Sequence, residues 1–231
     1  MEKRSLFGKV LRFIAILLMG LNAIFHLLGG AGTSCVALFA ERWESMAGIV
    51  PYKWLYILFV LVTLVVAVYA IRATIQLARS KPGSYRNALL ILIVALLVSG
   101  AHMATSEILR GSSAPTSMRV YLNALTLVVF LLLRIPGIYE KIGFENNSAR
   151  NERGGAAGAA MILMGITTLT VHLWAGSTHT WADGINYADV WHGQLTAAGW
   201  LLVTVGLITA AFPLMRSMVY RPDEAILSAQ E

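Results

Sequence analysis

Apolar residues run along the chain in six long blocks, 10–30, 54–77, 88–108, 119–138, 157–176 and 191–214, separated by short polar connections. Each block has about the twenty residues that a helix needs to cross a hydrocarbon core of ~30 Å. In lipid every backbone N–H and C=O must be paired within its own segment, so the blocks predict helices rather than strands. The expected architecture is an all-α integral membrane six-helix bundle, a single transmembrane domain over 1–231. It is read as three helical hairpins, about 1–80, 81–150 and 151–221, followed by a short tail. SKPGSYR and ENNSARNERGG, both rich in turn formers, separate the hairpins.

Composition agrees with this pattern. The 231 residues are 57% hydrophobic and 13% charged, with mean hydropathy +0.68, where a soluble domain carries about 25% charged residues. With the N terminus inside, all of the 18 Lys and Arg residues except Arg42, Lys53, Arg110 and Arg119 fall on the cytoplasmic side. This asymmetry predicts a multi-pass protein of the cell membrane with both termini cytoplasmic. It also accounts for the net charge of +6 through topology and anionic lipid, with no call for nucleic acid. The basic start, apolar middle and Gly-Thr-Ser before Cys35 share the layout of a signal peptide. The apolar run is longer than a signal core, however, and position 32 is Gly rather than Leu, so the block is read as a retained helix. Cys35 is the sole cysteine, which excludes an intrachain disulfide.

The candidate chemistry lies in the histidines. GLNAIFHLLGG, SGAHMATSE and GITTLTVHLWAG place His26, His102 and His172 near the outer ends of the first, third and fifth helices. His192 opens the sixth, and His179 lies in the preceding outer loop. Counting 1.5 Å per residue from the basic flanks puts all five on the extracytoplasmic side. Ionisable groups at such depth are costly, face a bundle interior and point to function. Asn22, Ser99, Thr168 and Thr196 stand three or four residues from a histidine on the same helix face, placed to support its second ring nitrogen.

Two axial imidazoles from His26, His102, His172 and His192 would suit haem b. Gly29, Gly30, Gly100, Gly176, Gly193 and Gly199 would make room for it, and the four outer cations would meet its propionates. A bare Cu, Fe or Zn ion is the competing expectation, with His26, His102, His172, His179, His192, Asp183, Asp189 and Glu107 as the ligand pool. ADGINYAD predicts a tight turn that caps the site with His179 and Asp183. AERWESMAGIVPYKW predicts a short amphipathic helix on the membrane surface.

The functional expectation is thus an outward-facing histidine site holding haem b or a transition metal in membrane electron transfer, with a quinone or the subunits of a membrane complex as partners. Two alternatives stand beside it. One is a membrane metalloenzyme acting on a lipid-like or hydrocarbon substrate, and the other a non-catalytic subunit of a membrane complex with a structural histidine cluster.

Overall fold

The computed structural model describes residues 6–113, 115–144, 153–175, 180 and 184–219, with all side chains in those ranges except 44, 45, 153, 154, 174, 175, 187 and 212–219. The helices are α1 (Leu6–Phe39), α2 (Lys53–Ala78), α3 (Ser84–Arg110), α4 (Thr116–Leu133), α5 (Ile138–Ile142), α6 (Arg153–Leu169), α7 (Val171–Ala175), α8 (Tyr187–Val190) and α9 (His192–Val219). Two 3-10 segments, Ala40–Arg42 and Glu44–Tyr52, connect α1 to α2. Among the described residues the only extended pairing is an isolated bridge between Thr180 and Asn186.

Five helical stretches, containing α1, α2, α3, α4 and α9, are long and apolar enough to cross a membrane. Their outward faces carry exposed Leu61, Val68, Leu97, Leu131 and Leu201, while Asn22, His26, Ser99, His102, Arg119 and Asn123 are buried. Polar residues inside and apolar residues outside is the arrangement that a bilayer selects.

Contacts along α1 to α4 alternate in direction. Gly30 of α1 lies against Leu64 of α2, while Arg12, nearer the start of α1, reaches Leu77 and Ala78 at the end of α2. Tyr56 of α2 meets Ser106 of α3, and Gln76 accepts from Asn87. Each neighbour therefore runs antiparallel to the last, as short connections require.

Arg12 ties one end together. Its guanidinium donates to Leu77 O (2.9 Å), Ala78 O (3.4 Å), Ser80 Oγ (2.7 Å) and Gly143 O (3.0 Å). A cation on the last carbonyls of α2 is favoured by the helix dipole and satisfies groups that helix ends leave open. Sequence reading places Arg12 only among the cytoplasmic cations. Its burial, at 1% exposure, comes from the α5 segment folding over it. There Phe144 lies beneath the guanidinium, and Gly8 leaves room for the Lys141 carbonyl.

Three expectations change in detail. The fifth span, expected over 157–176, breaks after Leu169, and α6 is about 26 Å long by its 17 residues. Thr167, Thr168 and Thr170 each turn a hydroxyl back onto the carbonyl four residues earlier, a local competition that weakens a helix. The fourth span begins and ends earlier than 119–138, because Pro136 and Gly137, the latter at φ +81°, make a turn after Leu133. The amphipathic surface helix becomes 3-10 turns that bury Trp43, Met46 and Ile49 against α1 and α2. Pro51 lies within that segment, and Gly48 is pressed onto the carbonyl of Leu109.

The α6–α9 pair is built on glycine. A Cβ on Gly158 would stand 2.5 Å from Gly206 O, and one on Gly206 would stand 2.8 Å from Gly158 O. Gly165 and Gly199 repeat the reciprocal contact seven residues along, at 2.7 and 3.1 Å. Such close backbone approach supplies the packing that holds helices together where lipid gives no hydrophobic drive. Gly155 has no atom within 4 Å of a built Cβ, so Gly155→Ala should stabilise by about 0.5–1 kcal/mol through helix propensity. Gly158→Ala should instead destabilise by about 1–3 kcal/mol through overpacking. Unfolding of the two variants in mixed micelles checks the contrast, and equal effects would contradict the glycine interface.

Candidate functional site

α4 carries a row of polar residues at Thr116, Arg119, Asn123 and Thr126, all with 0–4% exposure. Steps of three and four put them on one helix face, and the row continues as apolar Phe130 and Leu133. The polar half meets α1 and α3 rung by rung. Thr126 Oγ1 accepts from Asn22 Nδ2 at 2.6 Å, the Asn123 amide meets His26 Nε2 at 3.4 Å, and Arg119 Nη2 meets His102 Nδ1 at 3.2 Å. Arg119 Nη2 also donates to Thr116 Oγ1 at 3.3 Å. His26 and His102, from different helices, are thereby brought to one level around Arg119.

Local sequence explains why the guanidinium fits. Gly29 stands against its stem, where a Cβ would come within 2.7 Å of Cδ and 2.8 Å of Nε. Residue 29 is three places after His26, so one face of α1 supplies both the imidazole and the slot. The ring of His102 is fixed from α2, stacked on Phe59 at 4.6 Å and edge-on to Tyr56 at 5.3 Å. Tyr56 is held in turn by Ser106, oxygen to oxygen at 2.9 Å.

Donor and acceptor roles follow from chemistry. A guanidinium only donates, so His102 Nδ1 is the acceptor and the ring proton sits on Nε2. The Asn123 amide is satisfied at both ends when its nitrogen donates to Leu92 O (3.1 Å) and its oxygen accepts from Leu96 N (3.2 Å). In that orientation His26 donates from Nε2 to the same oxygen, which leaves Nδ1 as an acceptor. Among the described residues His26 Nδ1 and Arg119 Nη1 are buried without a hydrogen-bond partner. No described carboxylate pairs with Arg119, and Glu107 of α3 is exposed. The centre thus holds a buried cation with one donor nitrogen open, and a neutral imidazole with one acceptor open.

The remaining candidates are dispersed. His172 and His192 form a separate pair, rings edge to face at 5.5 Å, with His172 Nδ1 buried and without a partner. Asp189 lies in α8 and accepts from Asn186 at 2.9 Å. His179 and Asp183 lie outside the described residues. Among the described residues no three His, Cys, Asp or Glu side chains come together around a point fit for a metal ion.

The polar residues expected to support the histidines bond elsewhere. Asn22 donates to Leu18 O and Thr126, Ser99 to Ala95 O, and Thr168 to Met164 O. Thr196 is half-buried on α9.

Phe59 covers one face of His102, and the rings of His172 and His192 nearly touch. Of the glycines expected to make room, Gly29 fits Arg119, Gly30 fits Leu64 and Gly199 fits Leu169, Gly100 and Gly193 face open space, and Gly176 lies outside the described residues. Of the four cations assigned to an outer rim, Arg119 is buried and Lys53 pairs with Glu41 at 2.8 Å.

No family model, no curated protein and no solved structure matches this chain.

The rungs between α1 and α4 should couple energetically. A double-mutant cycle on Asn22→Ala and Thr126→Ala, read by unfolding in mixed micelles, should give an interaction of about 0.6–1.7 kcal/mol, the range for hydrogen bonds between membrane helices. Additive effects would contradict the ladder.

Proposed function

We propose that this chain is an integral membrane protein that binds a small oxygen-bearing anion between α1, α3 and α4, at the end of the bundle that the charge distribution assigns to the extracytoplasmic side. One observation carries the reading: Arg119 is 4% exposed, has no described carboxylate partner and leaves Nη1 open. A buried charge without a partner costs several kcal/mol, and in a lipid-embedded bundle such a group marks a binding or conduction site. A bound anion removes that cost. His102 and Thr116 orient the guanidinium, and Gly29 lets it lie close to α1. The open acceptor at His26 Nδ1 favours a ligand that carries a hydroxyl beside its negative oxygen. The haem expectation draws no support from this geometry.

The competing metal reading falls on the other histidine pair. Two imidazoles on one tetrahedral ion, each at a Zn–N distance of about 2.0 Å, put their ring centres about 5 Å apart. His172 and His192 stand at 5.5 Å.

The anion reading is tested by thermal unfolding of the full chain in an inert zwitterionic buffer titrated with glycolate or acetate at constant ionic strength. At roughly ten times Kd the ligand should stabilise the wild type by about 1.4 kcal/mol, glycolate binding more tightly than acetate. Arg119→Gln should lose both responses, and His26→Phe should lose only the preference for glycolate. An Arg119→Gln protein that responds like the wild type would overturn the reading. For the second site, calorimetric titration with Zn²⁺ or Cu²⁺ should show binding that His172→Ala removes and His102→Ala leaves intact. Binding indifferent to His172 would count against it.

A further inference from the structure

The outer surface of α2 and α3 carries a feature that the anion centre does not use. Toward the end of the bundle held by Arg12, Arg72 and Gln76 of α2 line two adjoining grooves, with Arg79 and Lys81 at one and Asn87 of α3 at the other. The walls are apolar and face outward, with Val68 62% and Leu90 56% exposed.

Arg72 is unusual in its depth. It precedes Arg79 by seven residues, so it lies about 10 Å further along the helix and into the apolar span, within the stretch Met46–Ala78 that is long enough to cross a membrane. Its side chain is exposed rather than turned into the bundle. The side chains of Arg72, Arg79 and Lys81 make no described hydrogen bond or ion pair, and the chain from 45 to 106 contains no Asp or Glu. Gln76 stands one turn from Arg72 and accepts from Asn87 at 3.0 Å, which adds an amide pair to the same lipid-facing wall.

A cation in that position needs an anion that can reach it beside hydrocarbon. An acidic phospholipid supplies both parts, a phosphate for the cations and acyl chains for the apolar walls. Basic grooves between helices on the cytoplasmic side recognise such headgroups, and this is the end at which the Lys and Arg residues concentrate.

We propose that these two adjoining grooves, which share Arg72 and Gln76, form a binding site for one anionic phospholipid, its phosphate held by Arg72 and Arg79 and its chains lying along Val68 in the first groove and Leu90 in the second. The site is independent of the Arg119 centre and stands or falls separately.

The test uses the full chain in nanodiscs of phosphatidylcholine, alone or mixed with phosphatidylglycerol, followed by native mass spectrometry of the lipid that stays bound. Phosphatidylglycerol should be retained in preference to phosphatidylcholine. Arg72→Gln should lower its retention roughly fivefold, the effect of one basic residue near a lipid surface, and Arg72→Lys should restore most of it. Arg86→Gln, at the same end but outside the groove, and Arg42→Gln at the other end should leave retention unchanged. Equal retention of the two lipids would overturn the proposal. So would an equal loss from Arg86→Gln, which would mean diffuse attraction. Disulfide-linked dimers formed by Val68→Cys in a Cys35→Ser background would also overturn it, by assigning the groove to a second copy of the chain.

Discussion

Polar groups surrounded by hydrocarbon must find their partners inside the protein, and the face of α4 from Thr116 to Thr126 is where this chain meets that demand. Three helices are fixed by it. Asn22 and His26 set the register of α1, His102 and the Leu92–Leu96 backbone set that of α3, and α4 supplies the groups between them. A slip of one residue in any of the three would turn its polar side chain toward lipid and leave the others unpaired. Below Thr126 the same α4 face becomes apolar, and Phe130 and Leu133 pack with Tyr85, Phe144 and Ile16. One helix face thus gives the bundle both its polar level and its dry core.

The second half of the protein is held differently. α6 and α9 approach through Gly158, Gly165, Gly199 and Gly206, with backbone against backbone, and α6 meets α1 where Gly20 faces Ala160. Small residues make this contact without polar groups, so its strength comes from dispersion over a close, regular surface. Near its outer end the rings of His172 and His192 meet edge to face, and Asn186 pairs with Asp189. A four-helix body with a charged centre and a glycine-packed hairpin laid against α1 are therefore two kinds of construction in one chain.

Much of this was legible in sequence. Five of the apolar blocks correspond to long helices, although α1 runs on to Phe39 and the fifth block breaks at Leu169, and the basic flanks mark the end at which Arg12, Arg79 and Lys81 lie. The depth count brings His26 and His102 to one level. What sequence reading missed was Arg119, because counting cations by loop assigned it to the outer rim when it lies in the first turn of α4. Its spacing with Thr116, Asn123 and Thr126 carried the signal, a polar stripe at helical period on a span otherwise rich in Leu and Val. The glycines were legible as small residues but not by role, since the same residue type makes room for a guanidinium at Gly29 and for a helix at Gly158. The break after Leu169 depends on three hydroxyls choosing backbone acceptors, a competition that composition does not resolve.

The proposed function rests on Arg119, a buried cation with one donor nitrogen open to an external anion. Solid-state NMR of protein with ¹⁵N-labelled arginine, in nanodiscs with ¹³C-carboxyl-labelled glycolate, addresses it at the atom concerned. A bound anion should give a dipolar cross-peak between an Arg119 Nη and the ligand carboxyl carbon, and slow exchange of the guanidinium protons with water. A guanidinium in rapid exchange with bulk water, or one whose only carboxyl contact is a side chain of the protein itself, would contradict the anion reading.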